Sequence, residues 1–191
     1  MADFTAIADV GRTIVHLLRE QMTPDPIPTP EMIGLSSPAD KGDLALSLFL
    51  YEVQQNGINQ QNFWSDQGNS QQAPPMALDL HFLLTAHSNA DVQTRALDEH
   101  RILGRAIQVL YDNQTVRGSR LQGALADSNE EFRLLLIEPL SLHTAITLFP
   151  NQPYKLSFNF IAGPVYLDSG RNKQSQRVLD RKDNMRGLEG S

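Results

Sequence analysis

The chain has 191 residues, 40% of them hydrophobic and 20% charged, with a formal net charge of -6 at pH 7. That is enough apolar material to offset chain entropy in one compact core, and the acidic balance argues against a general nucleic-acid or anionic-membrane binder. The absence of cysteine excludes disulfide frameworks, thiolate nucleophiles and Cys-ligated metal centres.

Residues 4–22 place Phe4, Ile7, Val10, Ile14, Val15, Leu17, Leu18 and Met22 on one arc and Asp9, Arg12, His16, Arg19 and Glu20 on the other, which is the periodicity of an amphipathic helix. The same stretch lacks the basic start, apolar run and small-residue cleavage site of a secretory signal, so synthesis and folding are expected in the cytoplasm. No window approaches the roughly 18 to 20 apolar residues that would span a bilayer, so direct membrane insertion is not expected. Pro24, Pro26, Pro28 and Pro30 alternate through residues 23–31, and their missing amide donors and fixed φ predict an extended connector.

Asp43–Val53 predicts a strand with both faces buried, Leu44, Leu46, Leu48 and Leu50 on one and Phe49, Tyr51 and Val53 on the other. Met76–Ala86 alternates Leu78, Leu80, Phe82 and Leu84 with Asp79, His81 and Thr85, the pattern of a half-exposed strand, and the two are expected to pair. Between them, residues 54–75 are dominated by Gln and Asn and read as a long, mobile loop. Asn89 or Asp91 is placed to cap a second helix reaching about Tyr111, with Val92, Ala96, Leu103, Ile107 and Leu110 along its stripe. Residues 114–129 are polar and Gly-containing; Glu130–Ile137 then returns to strand composition until Pro139 ends it. Ser141 starts a short helix to Leu148, Tyr154–Ile161 alternates as a further strand, and Gly163-Pro164 marks a bend before Val165–Leu167 resumes extended structure. This order predicts an α+β fold, an antiparallel or mixed sheet packed by two main helices on one face, as a single domain over residues 1–170 followed by a tail or arm, 171–191.

Few residues assemble into chemistry. Asp79, His81, His87 and Asp91 have suitable metal-ligand types, but their spacing matches no metal motif, and His81 reads as an exposed strand residue and His87 as a turn residue. Asp98, Glu99 and His100 are successive on a helix, so they point about 100° apart and cannot converge on one atom. Helical spacing sets His100 between Ala96 and Leu103, as a core or interface histidine, and leaves Asp98, Glu99, Arg101 and Arg105 on a solvated face. There is no G-x-S-x-G elbow, and Gly118 and Gly123 lack the Lys-Ser/Thr ending of a P-loop. Neither a catalytic residue nor a cofactor or metal site is expected. A small-molecule-binding or hydrolytic domain would instead need a pocket with convergent polar groups around His81 and His87.

Two features point to partners. Arg171, Lys173, Arg177, Arg181, Lys182 and Arg186 form a basic cluster in an acidic chain. They are either a solvated tail or, with Val178 and Leu179 as anchors, a strand added to the sheet edge of an acidic neighbour. Phe63 and Trp64 form an aromatic pair within a polar loop, suited to a partner contact or to folding back onto the domain.

LDLHFLLTAHS (78–88), HRILGRAIQVLYDN (100–113), FRLLLIEPLSLHTAITLF (132–149) and PYKLSFNFIAGPVYLDS (153–169) together resemble one family, with similarity extending over residues 4–170. It is the cap, or tail-terminator, family of extracellular contractile injection systems of the antifeeding-prophage type. The resemblance implies a phage tail-terminator-like fold. It further implies a homo-oligomeric, hexameric ring that ends the inner tube and anchors the last layer of sheath protein; the acidic balance adds that no nucleic acid is expected as a partner. Such a subunit assembles in the cytoplasm within a particle that is then released or membrane-attached. A baseplate or tube-initiation adaptor of the same particle is the alternative.

Overall fold

A computed structural model describes residues 4–40, 42–58, 65–67, 70–126, 130–136, 144, 147–149 and 153–174. Helix α1 (Ala6–Met22) buries Val10, Ile14, Leu17, Leu18 and Met22 along the expected stripe. The helix begins later than the sequence predicts, so Phe4 lies outside it and is 80% exposed. Asp9, expected among the solvent-facing residues, is buried instead. Its carboxylate accepts a hydrogen bond from the Ala124 amide at 3.0 Å and pairs with Arg12 at 3.1 Å. This contact requires Gly123, whose φ is +64° and where an added Cβ would lie 2.2 Å from Asp9 Oδ1.

The proline-rich connector is not extended. The Ile27 amide bonds back to the Met22 carbonyl at 3.1 Å, Ile27 is fully buried, and Pro30–Met32 forms a 3₁₀ turn. One apolar anchor among the prolines folds the segment against the end of α1.

Strands β1 (Ile33–Leu35), β2 (Leu46–Gln55), β5 (Met76–Ala86), β6 (Thr115–Arg117), β7 (Glu131–Leu136) and β8 (Ser157–Leu167) form a six-stranded sheet in the order β1-β2-β5-β8-β7-β6. β1 runs parallel to β2, and the remaining pairs are antiparallel. Helix α2 (Val92–Asp112) follows β5 and packs beside α1 on one face of this sheet. Leu46, Leu48, Leu80, Phe82, Leu84, Leu134, Phe160 and Ala162 meet the buried faces of both helices in one core, with the Phe82 and Phe160 rings stacked 5.6 Å apart. The α+β architecture with both main helices on one face is the arrangement the pattern predicts.

The details shift with position in the sheet. β2 is buried over Leu46–Leu48 but exposed over Glu52–Gln55, because its far half runs past the layer that covers it. β5, predicted to be half-exposed, lies between β2 and β8 and is buried along nearly its whole length. Only the second half of α2 reaches the core, through Ile102, Leu103, Ala106, Val109 and Leu110; Val92 and Ala96 of the predicted stripe are exposed. Gly163-Pro164 does not divide two strands but forms a bulge within continuous β8, opposite Asp79. The bulge tolerates a residue with no N–H, and the Asp79 carboxylate lies so close that a Cβ on Gly163 would sit 2.2 Å from its Oδ1. β6, which the polar composition of 114–129 hides, adds the sixth strand.

Within the segment read as a long loop, β3 (Ser65–Gln67) and β4 (Ser70–Gln72) pair with each other, and β4 also pairs with β9 (Asn172–Gln174) in a separate three-stranded sheet. Their sequences, Ser65–Gln67, Ser70–Gln72 and Asn172–Gln174, are polar throughout, so hydropathy gives no sign of them. The predicted Ser141–Leu148 helix lies largely outside the described residues, of which Thr144, Thr147 and Leu148 are helical. No helix among the described residues is long and apolar enough to cross a membrane.

Candidate assembly surface

The face of the six-stranded sheet away from the helices carries a polar layer. Ser47 on β2, Thr85 on β5 and Ser157 and Asn159 on β8 project there, together with Tyr51 and His81. Thr85 Oγ1 and Ser157 Oγ lie 2.9 Å apart. His87, just beyond β5, spans from Ser47 Oγ at 2.9 Å from its Nε2 to Lys155 Nζ at 3.1 Å from its Nδ1. The Tyr51 ring meets His81 edge-on at 5.9 Å. Burial pushes the Tyr51 phenol above its ordinary pKa; the hydrogen bond with Asn159 opposes this and the charge of Glu52 adds to it.

One expectation is overturned here: His81, expected on an exposed strand face, is only 9% exposed, with its ring edge-on to Tyr51. His87 lies in the turn beyond β5 as expected and is 2% exposed there, held between Ser47 and Lys155. Ser47 and His87 stand at the distance of a nucleophile and its base, but Lys155 Nζ occupies the other ring nitrogen, where a catalytic triad places a carboxylate to orient the base. Ser47 is itself 1% exposed, so the pair is closed to substrate.

The other candidate constellations disperse. Asp79 is held by Asn56, whose Nδ2 lies 3.0 Å from both carboxylate oxygens, while Asp91 stands at the N-cap of α2. Among the described residues no three His, Asp or Glu side chains gather to hold a metal ion. Asp98 and Glu99 are not simply solvated: Ser88 Oγ donates to Asp98 at 2.5 Å and the Ser88 amide to Glu99 at 3.2 Å, tying the turn after β5 to α2. His100, expected in a core or interface, is exposed on the free half of α2. Sequence reasoning missed the Ser47–His87–Lys155 chain because its members lie far apart along the chain and only the β2–β5–β8 register joins them.

Of the residues singled out as partner contacts, Phe63, Trp64, Arg177, Val178, Leu179, Arg181 and Lys182 lie outside the described residues. Arg171 is exposed, and its carbonyl accepts the Ala73 amide at 3.0 Å. The Lys173 backbone pairs with Gln71 in the small sheet. The beginning of the basic segment is therefore joined by main-chain bonds to the Gln/Asn-rich segment, two stretches that the sequence reading kept apart. The six-stranded sheet ends on two short strands, β1 and β6, whose outer edges have no further strand beside them among the described residues.

A family model for the Pvc16 N-terminal domain matches residues 9–181. This chain belongs to that family. Among solved structures, a sheath/tube terminator of the PVC extracellular contractile injection system, in its extended state, is similar in fold with a TM-score of 0.64 at 15% identity, over 97% of this chain and 64% of that one. The tube-terminating cap of the anti-feeding prophage is similar with a TM-score of 0.59 at 17% identity, over 91% of this chain and 59% of that one. This family member thus spans less than two thirds of the length of either structure, and the likeness establishes a terminator-like fold. No curated protein matches the sequence.

Proposed function

We propose that this protein is a structural, non-enzymatic cap that ends the inner tube and anchors the last sheath layer of a contractile injection particle. The observation that carries the reading is a fold shared over nearly the whole chain with two terminators, joined to membership of the Pvc16 N-terminal domain family. The buried polar layer supports it further, since its Thr85–Ser157 and Ser47–His87–Lys155 contacts join strands and Ser47 and His87 are closed to substrate. Copies of the chain close into a ring, with a hexamer as the expected stoichiometry, and the 171–191 arm and the 54–75 segment reach toward sheath and tube. Assembly takes place in the cytoplasm.

Particles built without this chain and imaged in negative stain should show tubes of uncontrolled length or sheaths that detach. Uniform, stably capped particles would overturn the reading. A tag on the chain should decorate the end distal to the baseplate; decoration of the baseplate end would assign an adaptor instead.

A further inference from the structure

Beside the outer edge of β1 lies a groove of about 510 Å³, walled by Arg12, Val15, His16 and Arg19 of α1 and by Gly34 and Leu35 of β1. On its inner side β1 is held to β2: Met32 O accepts the Ala45 amide at 2.8 Å and the Ser36 amide donates to Leu48 O at 3.1 Å. Alternate residues of a strand turn their backbone groups to the same side, so Gly34 also faces β2 while Ile33 and Leu35 face outward. Arg19 occupies the outward carbonyl of Ile33 with both Nε, at 2.9 Å, and Nη2, at 2.7 Å. Among the described residues the outward N–H and C=O of Leu35 meet no further strand, and its side chain is 52% exposed.

The groove combines a strand edge, an apolar floor of Val15 and Leu35, and a wall that carries the guanidinium groups of Arg12 and Arg19. Arg12 is paired with Asp9, but its own side chain is 67% exposed, and His16, 3.3 Å from Glu20, is 46% exposed. We propose that this edge receives an extended segment of a partner protein in which carboxylate side chains alternate with apolar ones. The segment's backbone pairs with Leu35, its apolar residues cover Val15 and Leu35, and its carboxylates meet Arg12, His16 and Arg19. A carboxylate that takes the Arg19 guanidinium by two parallel bonds releases the Ile33 carbonyl for the partner's amide, lengthening the ladder. The chain's own end does not suit the groove, because residues 171–191 carry six Lys or Arg against three Asp or Glu. This assignment goes beyond the cap reading and does not depend on it.

The test uses the full chain and short fluorescein-labelled peptides that alternate glutamate with valine or lysine with valine, read by anisotropy. The glutamate peptide should bind at least about tenfold more tightly than the lysine peptide, a preference that Arg12→Glu with His16→Glu reverses. N-methylation of the peptide amides in one alternating phase should weaken binding by about tenfold or more, and in the other phase leave it unchanged, because only one phase faces β1. Leu35→Pro, which removes an outward N–H that β2 does not use, should weaken binding similarly with the melting temperature unchanged. Equal affinity for both peptides, or indifference to N-methylation in both phases, overturns the proposal. Self-association that Leu35→Pro abolishes would give the edge to a second copy and overturn it as well. Should the proline variant fail to fold, the N-methylated series decides alone.

Discussion

The two faces of the six-stranded sheet are built on different physics. Under the helices, Leu46, Leu80, Phe82, Leu84 and Phe160 meet α1 and α2 as hydrocarbon, and the contribution scales with the area removed from water. On the opposite face Ser47, Thr85, His87 and Asn159 are almost as deeply buried, but each carries polar atoms whose desolvation must be offset by hydrogen bonds. The first face tolerates any filling of the right volume and shape. The second accepts only partners at the right atoms, so it specifies register as much as it stabilises.

The largest effect expected from breaking this contrast is on the apolar side. Phe82→Ala removes a ring stacked on Phe160 and should lower stability by about 3–5 kcal/mol in urea unfolding. A loss below about 1 kcal/mol would mean that the helices do not seal that face. On the polar side, Ser47→Ala removes a buried hydroxyl that reaches both His87 Nε2 and the Thr85 carbonyl; the expected loss is about 1–3 kcal/mol. A loss within about 0.5 kcal/mol, as at an ordinary surface site, would show that the polar layer is reached by water.

The smallest effect sharpens the comparison by pH. Because burial raises the Tyr51 pKa, the folded state holds that phenolic proton more tightly than the unfolded chain does. The stabilisation is complete below the ordinary phenol pKa of about 10 and is lost as pH rises through the folded value. Absorbance at alkaline pH should resolve one late-titrating phenol among the four tyrosines, absent in Tyr51→Phe, whose alkaline loss of stability should be shallower. Titration of all four together would place Tyr51 in solvent.

Much of the architecture was legible because hydropathy period reports burial on one face. That signal found α1, the core half of α2, and the positions of β2, β5, β7 and β8. It failed wherever burial came from neighbours in space. The alternation of Asp79, His81 and Thr85 with leucines reads as a half-exposed strand, but His81 is buried with Tyr51 from β2 against it and Thr85 with Ser157 from β8. Asp9 looked solvent-facing until Gly123 and Ala124 closed over it. β3, β4 and β6 are short and polar, so nothing in their side chains distinguishes them from loop.

By itself the sequence determined the α+β class, the helix-covered core and, through its motifs, the resemblance to terminators, because these depend on local period and residue order. Only the tertiary structure decided that β5 is central, that His87 joins Ser47 to Lys155, that Arg19 occupies the edge of β1, and that the basic arm starts as a strand against residues 70–72. Each of these is a meeting of groups distant along the chain, set by strand order and register. Local pattern carries no information about which strand a given strand will lie beside.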